Sequence, residues 1–518
     1  MKEADQQRFT ELLSWAAQSG GELHPAVDIY HNDLTGFSLR VKENSSISPA
    51  TDTLTPGDAV LACPLMLSLS YLNALSGGPV EPHRQGLPET NPAFPHEFLT
   101  TLPPHIIGRF YLIQQYLLGS KSFWSPYIQT LPQPQALNSW SLPPFWTEDD
   151  ATFLEGTNAG VAIEGIQSNL KNEFKKARKI LKEANFPGWQ DYTRLLYNWS
   201  YSMFTSRSFR PSTIISDQVR ESVLPSNCGI DDFSILLPVF DLANHSLLAK
   251  VQWDTRTRAD ACLLRCHDMY KPGDQIFNNY GKKTNSELFL AYGFVIPETD
   301  ILHNDYIHVR KRRAADSTSD KAQLAGNSST QAVDFLISLR PMAHPSSFVG
   351  RARQRVAQSP DFPIKSEFSH IEDNLVWDMS ILGMTDDEKD SFVHQVVPDD
   401  TPPGLTSRVA TEAESADSVL REQREQECLR RILSTSLPEE LDQIESKVKE
   451  MLLAKLGYEY DKLCESHPGG QDENGQDLDI EPANRNQELA LQYRAQSRKA
   501  LENTIAALVP NWQDDAEL

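Results

Sequence analysis

Two segments gather the side chains best suited to chemistry. One is Pro238-Val-Phe-Asp-Leu-Ala-Asn-His-Ser246; the other, about 35 residues on, is Phe277-Asn-Asn-Tyr-Gly-Lys-Lys-Thr-Asn-Ser-Glu-Leu-Phe-Leu-Ala-Tyr-Gly-Phe294. Taken singly, each has a structural use. Asn244-His245-Ser246 can be a polar loop in which Asn makes a local side-chain bond and Ser caps a helix. Asn279-Tyr280-Gly281 can be a strand end and turn, and Ser286 to Tyr292 a short helix with Leu288, Phe289 and Tyr292 packed inward.

Metal chemistry does not follow from these residues. Asp241 and His245 stand four apart, but no further His/Glu constellation completes a hydrolase site. Cys262, Cys266 and His267 lie close together, yet a zinc site needs about four ligands and no second pair follows at a fitting distance. The six cysteines (63, 228, 262, 266, 428 and 464) are scattered over 518 residues and read as reduced thiols rather than a secreted disulfide framework. No metal is expected.

The order and spacing of the two segments resemble the C-terminal half of a SET domain. They are most similar to the branch that contains the plant Rubisco large-subunit lysine methyltransferase, the actin-histidine methyltransferase and fungal ribosomal-protein lysine methyltransferases. That branch carries an Asn-His-Ser-like motif after a strand, then Tyr-Gly, then Ser-Asn-Ala-Glu-Leu and Tyr-Gly-Phe. Here the last part reads Thr284-Asn-Ser-Glu-Leu288 and Tyr292-Gly-Phe294. Thr35-Gly-Phe-Ser-Leu39 and Leu54-Thr-Pro-Gly-Asp-Ala-Val-Leu-Ala-Cys-Pro64 resemble the family's opening strands, with Thr35 and Ser38 in place of an acid and a glycine. Trp199 to Phe209 is similar to the helix that brings an arginine to the cofactor. Phe123 to Trp146 is similar to the insert between the SET halves, and Tyr493 to Leu501 to the last helix of the Rubisco-methyltransferase substrate-binding domain.

The resemblance implies an S-adenosylmethionine-dependent protein-lysine N-methyltransferase. Its implied fold is α+β, a SET domain of small β-sheets with a pseudoknot over residues 20–300. Within it lie an N-terminal half about 25–75, a helical insert about 85–225 and a C-terminal half about 226–300. A mostly α-helical substrate-binding domain follows over 301–518, with mobile segments expected near 311–331, 398–418 and 465–485. The implied cofactor contacts are Gly36, Phe37, Ser38, Arg207, Asn244, His245, Tyr280 and Phe294. Arg207 serves the cofactor carboxylate, Asn244 its amino-acid end, the His245 backbone its adenine, and Phe294 forms the adenine wall. Tyr280 stands at the reacting centre and Tyr292 lines the target-residue channel.

This division of roles suits the chemistry. Guanidinium geometry fits a carboxylate, and in-line methyl transfer depends on alignment and exclusion of water. A lysine amine with a pKa of about 10.4 must lose its proton, which a narrow apolar channel facing a sulfonium favours. A tyrosine titrating near about 10 is suited to orienting the amine and making weak C–H···O contacts, not to acting as an anionic base. Two alternatives remain: histidine as the methyl acceptor on the same scaffold, and an inactive SET scaffold that binds a protein partner, motivated by Thr35 and Ser38.

Composition agrees with a soluble protein. Apolar residues make up 39% and charged residues 23%, and no run of about 18 apolar residues suggests a membrane span. The start of the chain has no hydrophobic signal core and no Arg-rich transit pattern, so a cytoplasmic or nuclear monomer is expected. The net charge of −23 argues against nucleic acid as the direct substrate and favours encounter with a basic protein, such as a ribosomal protein or histone tail.

The elements that must position these residues are legible in outline. Ile235 to Phe240 and Asp274 to Asn278 are short strand candidates around the polar segment, with a Lys271-Pro-Gly-Asp274 turn before the second. Ala59 to Leu72 reads as buried strand. Phe98 to Leu118 ends in a helical pattern, Asn169 to Asn185 is a basic helix, and Tyr192 to Phe204 an aromatic one. Near the end, Ser436 can cap a helix whose stripe is Leu441, Ile444, Val448, Met451, Leu452 and Leu456. A last helix is expected around Glu488 to Leu508.

Overall fold

Short apolar runs broken by Gly, Pro and Asp turns fold here into small antiparallel sheets rather than one large one. The computed structural model describes residues 3–33, 35–43, 53–81, 92–139, 142–310, 334–356, 363–397, 416–435, 442–472 and 478–509. They fall into two compact units. The first comprises residues of Met1–Phe145 and Gly165–Gly281; the second comprises Trp146–Glu164 and the described residues of 282–310 and 334–509.

The strands of the first unit are β1 (Glu22–Leu23), β2 (Val27–Asn32), β3 (Gly36–Val41), β4 (Ala59–Pro64), β5 (Leu69–Ser70), β6 (Ser208–Phe209), β7 (Ile235–Leu236), β8 (Val251–Asp254), β9 (Ala261–Cys266) and β10 (Gln275–Ile276). They form three sheets, β1-β4-β9-β8, β10-β3-β2 and β5-β7-β6. The β2–β3 hairpin closes where the Thr35 N–H donates to Asn32 Oδ1 at 3.1 Å and Gly36 takes φ +74°. A side chain would strain that positive φ. The Ala59 to Leu72 run is not continuous strand. Pro64 has no N–H for the ladder, and the chain passes through a 3-10 turn, Leu65–Leu67, before β5 and the helix Tyr71–Ser76.

The helices of this unit pack an aromatic core. Phe110, on Pro104–Leu118, stacks on Tyr192 with centroids 5.6 Å apart and 13° between planes, and Phe98 meets it edge-on at 5.3 Å. The helix Asn158–Glu183 adds Leu170, Ala177, Ile180 and Leu181 to the same core. This spacing marks one apolar stripe, with the opposite face left to water.

In the second unit β11 (Tyr306–Arg310) pairs with β12 (Asp334–Ser338) and the rest is mainly helical. Val448, Leu452 and Leu456 of the helix Asp442–Glu465 are buried, whereas Ile444 and Met451 are half-buried. Leu501, Ile505 and Leu508 of the last helix, Arg485–Leu508, belong to the same cluster. The expected Ser436 cap and Leu441 lie outside the described residues, as do 311–331 and 398–415. Within 465–485, Leu478 N–H donates to Gly470 O at 3.0 Å.

Candidate active site

The polar segment begins where β7 ends. Val239 adopts φ +69°, an unusual value for a β-branched residue, and Phe240–Leu242 follow as one 3-10 turn. Such strain costs on the order of 1–3 kcal/mol and persists because the neighbours fix it. Val239 is buried, and Phe240 is wedged edge-on against Phe209 at 5.2 Å and Trp253 at 6.4 Å.

With Phe240 anchored, the Asp241 carboxylate is turned inward, its side chain 2% exposed. It accepts a hydrogen bond from the Tyr127 hydroxyl at 2.9 Å and one from Arg207 Nη1 at 3.2 Å. Burial pushes the Asp241 carboxyl upward against the Arg207 charge and the Tyr127 bond. For Arg207, burial works against the charge, but Asp241 and the phenols of Tyr127 and Tyr280 more than offset it, so its pKa lies above the ordinary value and it stays cationic. Arg207 ends the helix Arg194–Arg207, and its side chain remains 27% exposed. Asp241 engages only Nη1, which leaves other guanidinium N–H groups to meet a second anion.

Asn244 to Ser246 is fixed by the second segment. Asn278 N–H donates to Asn244 O at 2.8 Å and Ser246 N–H donates to Asn278 O at 2.9 Å, around a parallel bridge between His245 and Asn278. Because β10 also pairs with β3, the chain from Gln275 to Tyr280 is tied on one side to β3 and on the other to this loop, in keeping with the expected pseudoknot. The Asn278 side chain is fully buried, its Oδ1 accepting from Trp253 Nε1 at 2.9 Å and from Asn279 N–H at 2.8 Å.

Tyr280 is held at three points. Its N–H donates to His245 Nδ1 at 3.0 Å, its ring stacks on the imidazole at 4.9 Å and 19°, and its hydroxyl donates to Ala243 O at 3.0 Å. An Nδ1 that accepts places the proton of neutral His245 on Nε2. The imidazole is therefore a positioning group for Tyr280, a role that the sequence did not suggest.

β3 lies against the Phe240–Leu242 turn and contributes Gly36, Phe37 and Ser38. Beside Gly36 a Cβ would meet nothing within 4 Å. Phe37 packs on Phe9 at 4.5 Å and on His31 at 5.0 Å. Ser38 is fully buried, and its Oγ accepts from Gln275 Nε2 at 2.9 Å. The Ser38 hydroxyl thus joins β3 to β10, while at Thr35 only the backbone N–H is engaged in the turn.

Tyr292 and Phe294 are in the second unit, at and just beyond the end of the helix Asn285–Tyr292, with rings 6.3 Å apart. Burial, followed by the Glu287 charge, pushes the Tyr292 hydroxyl up to about 12. The helix starts in a reciprocal capping box between Thr284 and Glu287. Asn285 is a tether: its Nδ2 donates to Ile296 O at 2.9 Å and Asp305 Oδ1 at 2.8 Å, while its Oδ1 accepts from Ile296 N–H at 2.8 Å.

An S-adenosylmethionine site needs hydrogen-bond donors for the cofactor's carboxylate, and the first unit holds two. Arg207 is a fixed, part-exposed cation, and the Asn244 Nδ2 amide is buried without a protein partner. These residues fit the cofactor's amino-acid end. Among the described residues no group of three or more His, Cys, Asp or Glu is placed to hold a metal ion. Cys262 and Cys266 are buried in β9, where burial pushes the Cys266 thiol up to about 11.

No protein-family model matches the chain. It is 28% identical over 291 residues to the ribosomal lysine N-methyltransferase set10 of Schizosaccharomyces pombe, covering 56% of this chain and 46% of that protein. To the protein-lysine N-methyltransferase EFM1 of Saccharomyces cerevisiae it is 24% identical over 335 residues, covering 56% and 50%. To the human actin-histidine N-methyltransferase it is 24% identical over 293 residues, covering 55% and 42%. The chain thus spans about half the length of the curated relatives it matches. Among solved structures, Rubisco LSMT bound to AdoMet superposes with a TM-score of 0.56 at 14% identity, covering 100% of this chain and 94% of that one. The SET domain of LSMT bound to lysine and AdoHcy gives 0.56 at 14%, covering 99% and 93%. The chain therefore carries the α+β SET-domain fold of the Rubisco large-subunit methyltransferase and is related in sequence to protein-lysine and actin-histidine N-methyltransferases.

Proposed function

We propose that this chain is an S-adenosylmethionine-dependent protein-lysine N-methyltransferase, acting as a monomer in the cytoplasm or nucleus on a basic protein. The observation that carries the reading is the fixing of Tyr280 by His245 Nδ1, the imidazole face and Ala243 O, close enough to Arg207 to raise its pKa. S-adenosylmethionine, when bound, supplies a sulfonium-activated methyl group. Arg207 would hold its carboxylate, Asn244 its amino-acid end and the His245 backbone its adenine, with Gly36, Phe37 and Ser38 on the β3 side.

The protein contributes alignment. The Tyr280 hydroxyl donates to Ala243 O, so its oxygen lone pairs are directed away from that carbonyl and can accept from an incoming amine. Two named relatives act on lysine and one on actin histidine, so histidine is the second reading. Labelled S-adenosylmethionine incubated with a cell lysate, followed by mass spectrometry of the labelled protein, identifies the acceptor. Lysine is expected; label on histidine favours the second reading, and no labelled protein overturns both. A basic substrate also predicts that kcat/KM falls steeply with added salt, because steering by the −23 charge is screened. A flat response removes the basic-substrate part.

A further inference from the structure

The methyl-transfer site leaves unused one feature that runs against the charge of the whole molecule. Between Lys171 and Lys182 the helix Asn158–Glu183 carries Lys171, Lys175, Lys176, Arg178, Lys179 and Lys182, with Glu173 as its one acid, in a chain of net charge −23. Glu173 faces inward. It accepts from Arg109 Nη1 at 2.7 Å and the Tyr197 hydroxyl at 2.8 Å, and its other oxygen lies 3.2 Å from His105 Nε2. The outward side holds Lys171, Lys175, Lys179 and Lys182, all exposed and spaced four, four and three residues apart. At 1.5 Å per residue this is a lysine row about 16 Å long. Glu183 answers Lys179 only through an exposed pair at 3.6 Å, a contact worth little in water.

We infer that this lysine row is a docking surface for the phosphate backbone of single-stranded RNA. The choice of phosphate over an acidic peptide follows from what accompanies the lysines. Ala177, Ile180 and Leu181 are turned into the core, so the row offers no exposed apolar anchor of the kind a peptide interface needs. Phosphate binding requires only cations along a track. Each of the four lysines can meet one phosphate of a single strand. Arg178 and Lys182 lie over the Trp189 ring at 4.8 and 5.6 Å, which braces this end of the helix. The acidic remainder of the molecule does not forbid the contact, because at physiological salt the Debye length is only about 8 Å. The surface is distinct from the proposed methyl-transfer site, and the inference does not depend on that activity.

The test is fluorescence anisotropy with a labelled single-stranded RNA of about 20 nucleotides, using the full chain and a variant with Lys171, Lys175, Lys179 and Lys182 all changed to Gln. Four phosphate contacts on a single strand give a slope of log K against log salt of about −3, so doubling the salt from 50 to 100 mM weakens binding about sevenfold. The variant should lose at least about tenfold in affinity and most of that slope, with its unfolding midpoint close to the native one, since the changed side chains are exposed and Arg178 still braces Trp189 when Lys182 is replaced. Absence of RNA binding, or equal binding by the variant, overturns the inference. Displacement of the RNA by poly-glutamate as readily as by unlabelled RNA overturns the choice of phosphate.

Discussion

The N–H of Tyr280 donates to Nδ1 of His245 at 3.0 Å while the two rings stack with centroids 4.9 Å apart. One contact fixes the backbone of the tyrosine and the other fixes its ring plane, so the hydroxyl is aimed by residues that need not touch a substrate. His245→Phe retains a ring for stacking but removes the acceptor. It should lower kcat by about tenfold or more with KM for the protein substrate nearly unchanged, the pattern of lost transition-state alignment. An unchanged kcat would mean that the hydrogen bond does not position Tyr280.

Arg207 is prepared by two residues from elsewhere in the chain. Asp241→Asn removes the countercharge that fixes Arg207, and because burial already pushes the Asp241 carboxyl upward its cost to the fold should be small, whereas Tyr127→Phe removes one hydrogen bond to a charged group, about 1.5–3 kcal/mol. Arg207→Lys keeps the charge and loses the fork, and should weaken S-adenosylmethionine binding about 10- to 100-fold, as expected for charged hydrogen bonds of that size. Calorimetric Kd and thermal unfolding check these together. Native affinity in Arg207→Lys would remove Arg207 from the cofactor site.

Acid sensitivity has an identifiable source in the first unit. Burial raises the Glu173 carboxyl, but the His105 hydrogen bond and the Arg109 charge outweigh it and bring it down to about 2. A carboxyl lowered in the folded state stabilises fully above its ordinary pKa of about 4.3 and loses that contribution as pH falls towards about 2. Glu173→Gln should therefore be less stable than the native chain by up to about 3 kcal/mol at pH 7. The difference, read from urea midpoints, should shrink below about pH 4.5; a pH-independent difference would contradict the assignment.

Asp305 in the second unit should behave in the opposite sense. Burial raises it to about 6 against the Asn285 hydrogen bond, and its Oδ2 has no protein partner. A carboxyl raised in the folded state contributes most below its ordinary pKa of about 3.9 and loses that contribution as pH rises through about 6. Asp305→Asn keeps an acceptor for Asn285 and should stabilise the protein by up to about 3 kcal/mol at pH 8. No gain should appear near pH 4, and a gain there equal to that at pH 8 would refute the pKa shift.

Much of this was legible in the sequence because local pattern and local structure agree. The basic helix, the aromatic helix and the last helix show in their residue patterns, as does the short helix from Ser286 to Tyr292, whose Thr284–Glu287 capping box only the structure shows. The strands around the polar segment were expected to be longer than β7 and β10 are, because Val239 and the 3-10 turn interrupt the first. Tyr127 and Asp241 were missed as a pair, since 114 residues separate them and no local period links a phenol in the insert to a carboxylate after β7. The His245 side chain was missed for a different reason. The tautomer and target of an imidazole are set by a backbone N–H 35 residues away, and only the folded chain reveals that partner. Ser38 read as a departure from a glycine; its bond to Gln275 is a cross-strand contact that sequence spacing cannot encode.

The central claim is that Tyr280 sets the geometry of methyl transfer in a site that binds S-adenosylmethionine. The most direct measurement pairs calorimetric binding of S-adenosylmethionine with labelled methyl transfer to protein in a lysate, for the native chain and Tyr280→Phe. The account predicts binding by both, transfer by the native chain, and loss of about 100-fold or more of that transfer in the variant, about 2.7 kcal/mol in the barrier. Native transfer by Tyr280→Phe would contradict the role of the tyrosine, and failure of the native chain to bind S-adenosylmethionine would contradict the function itself.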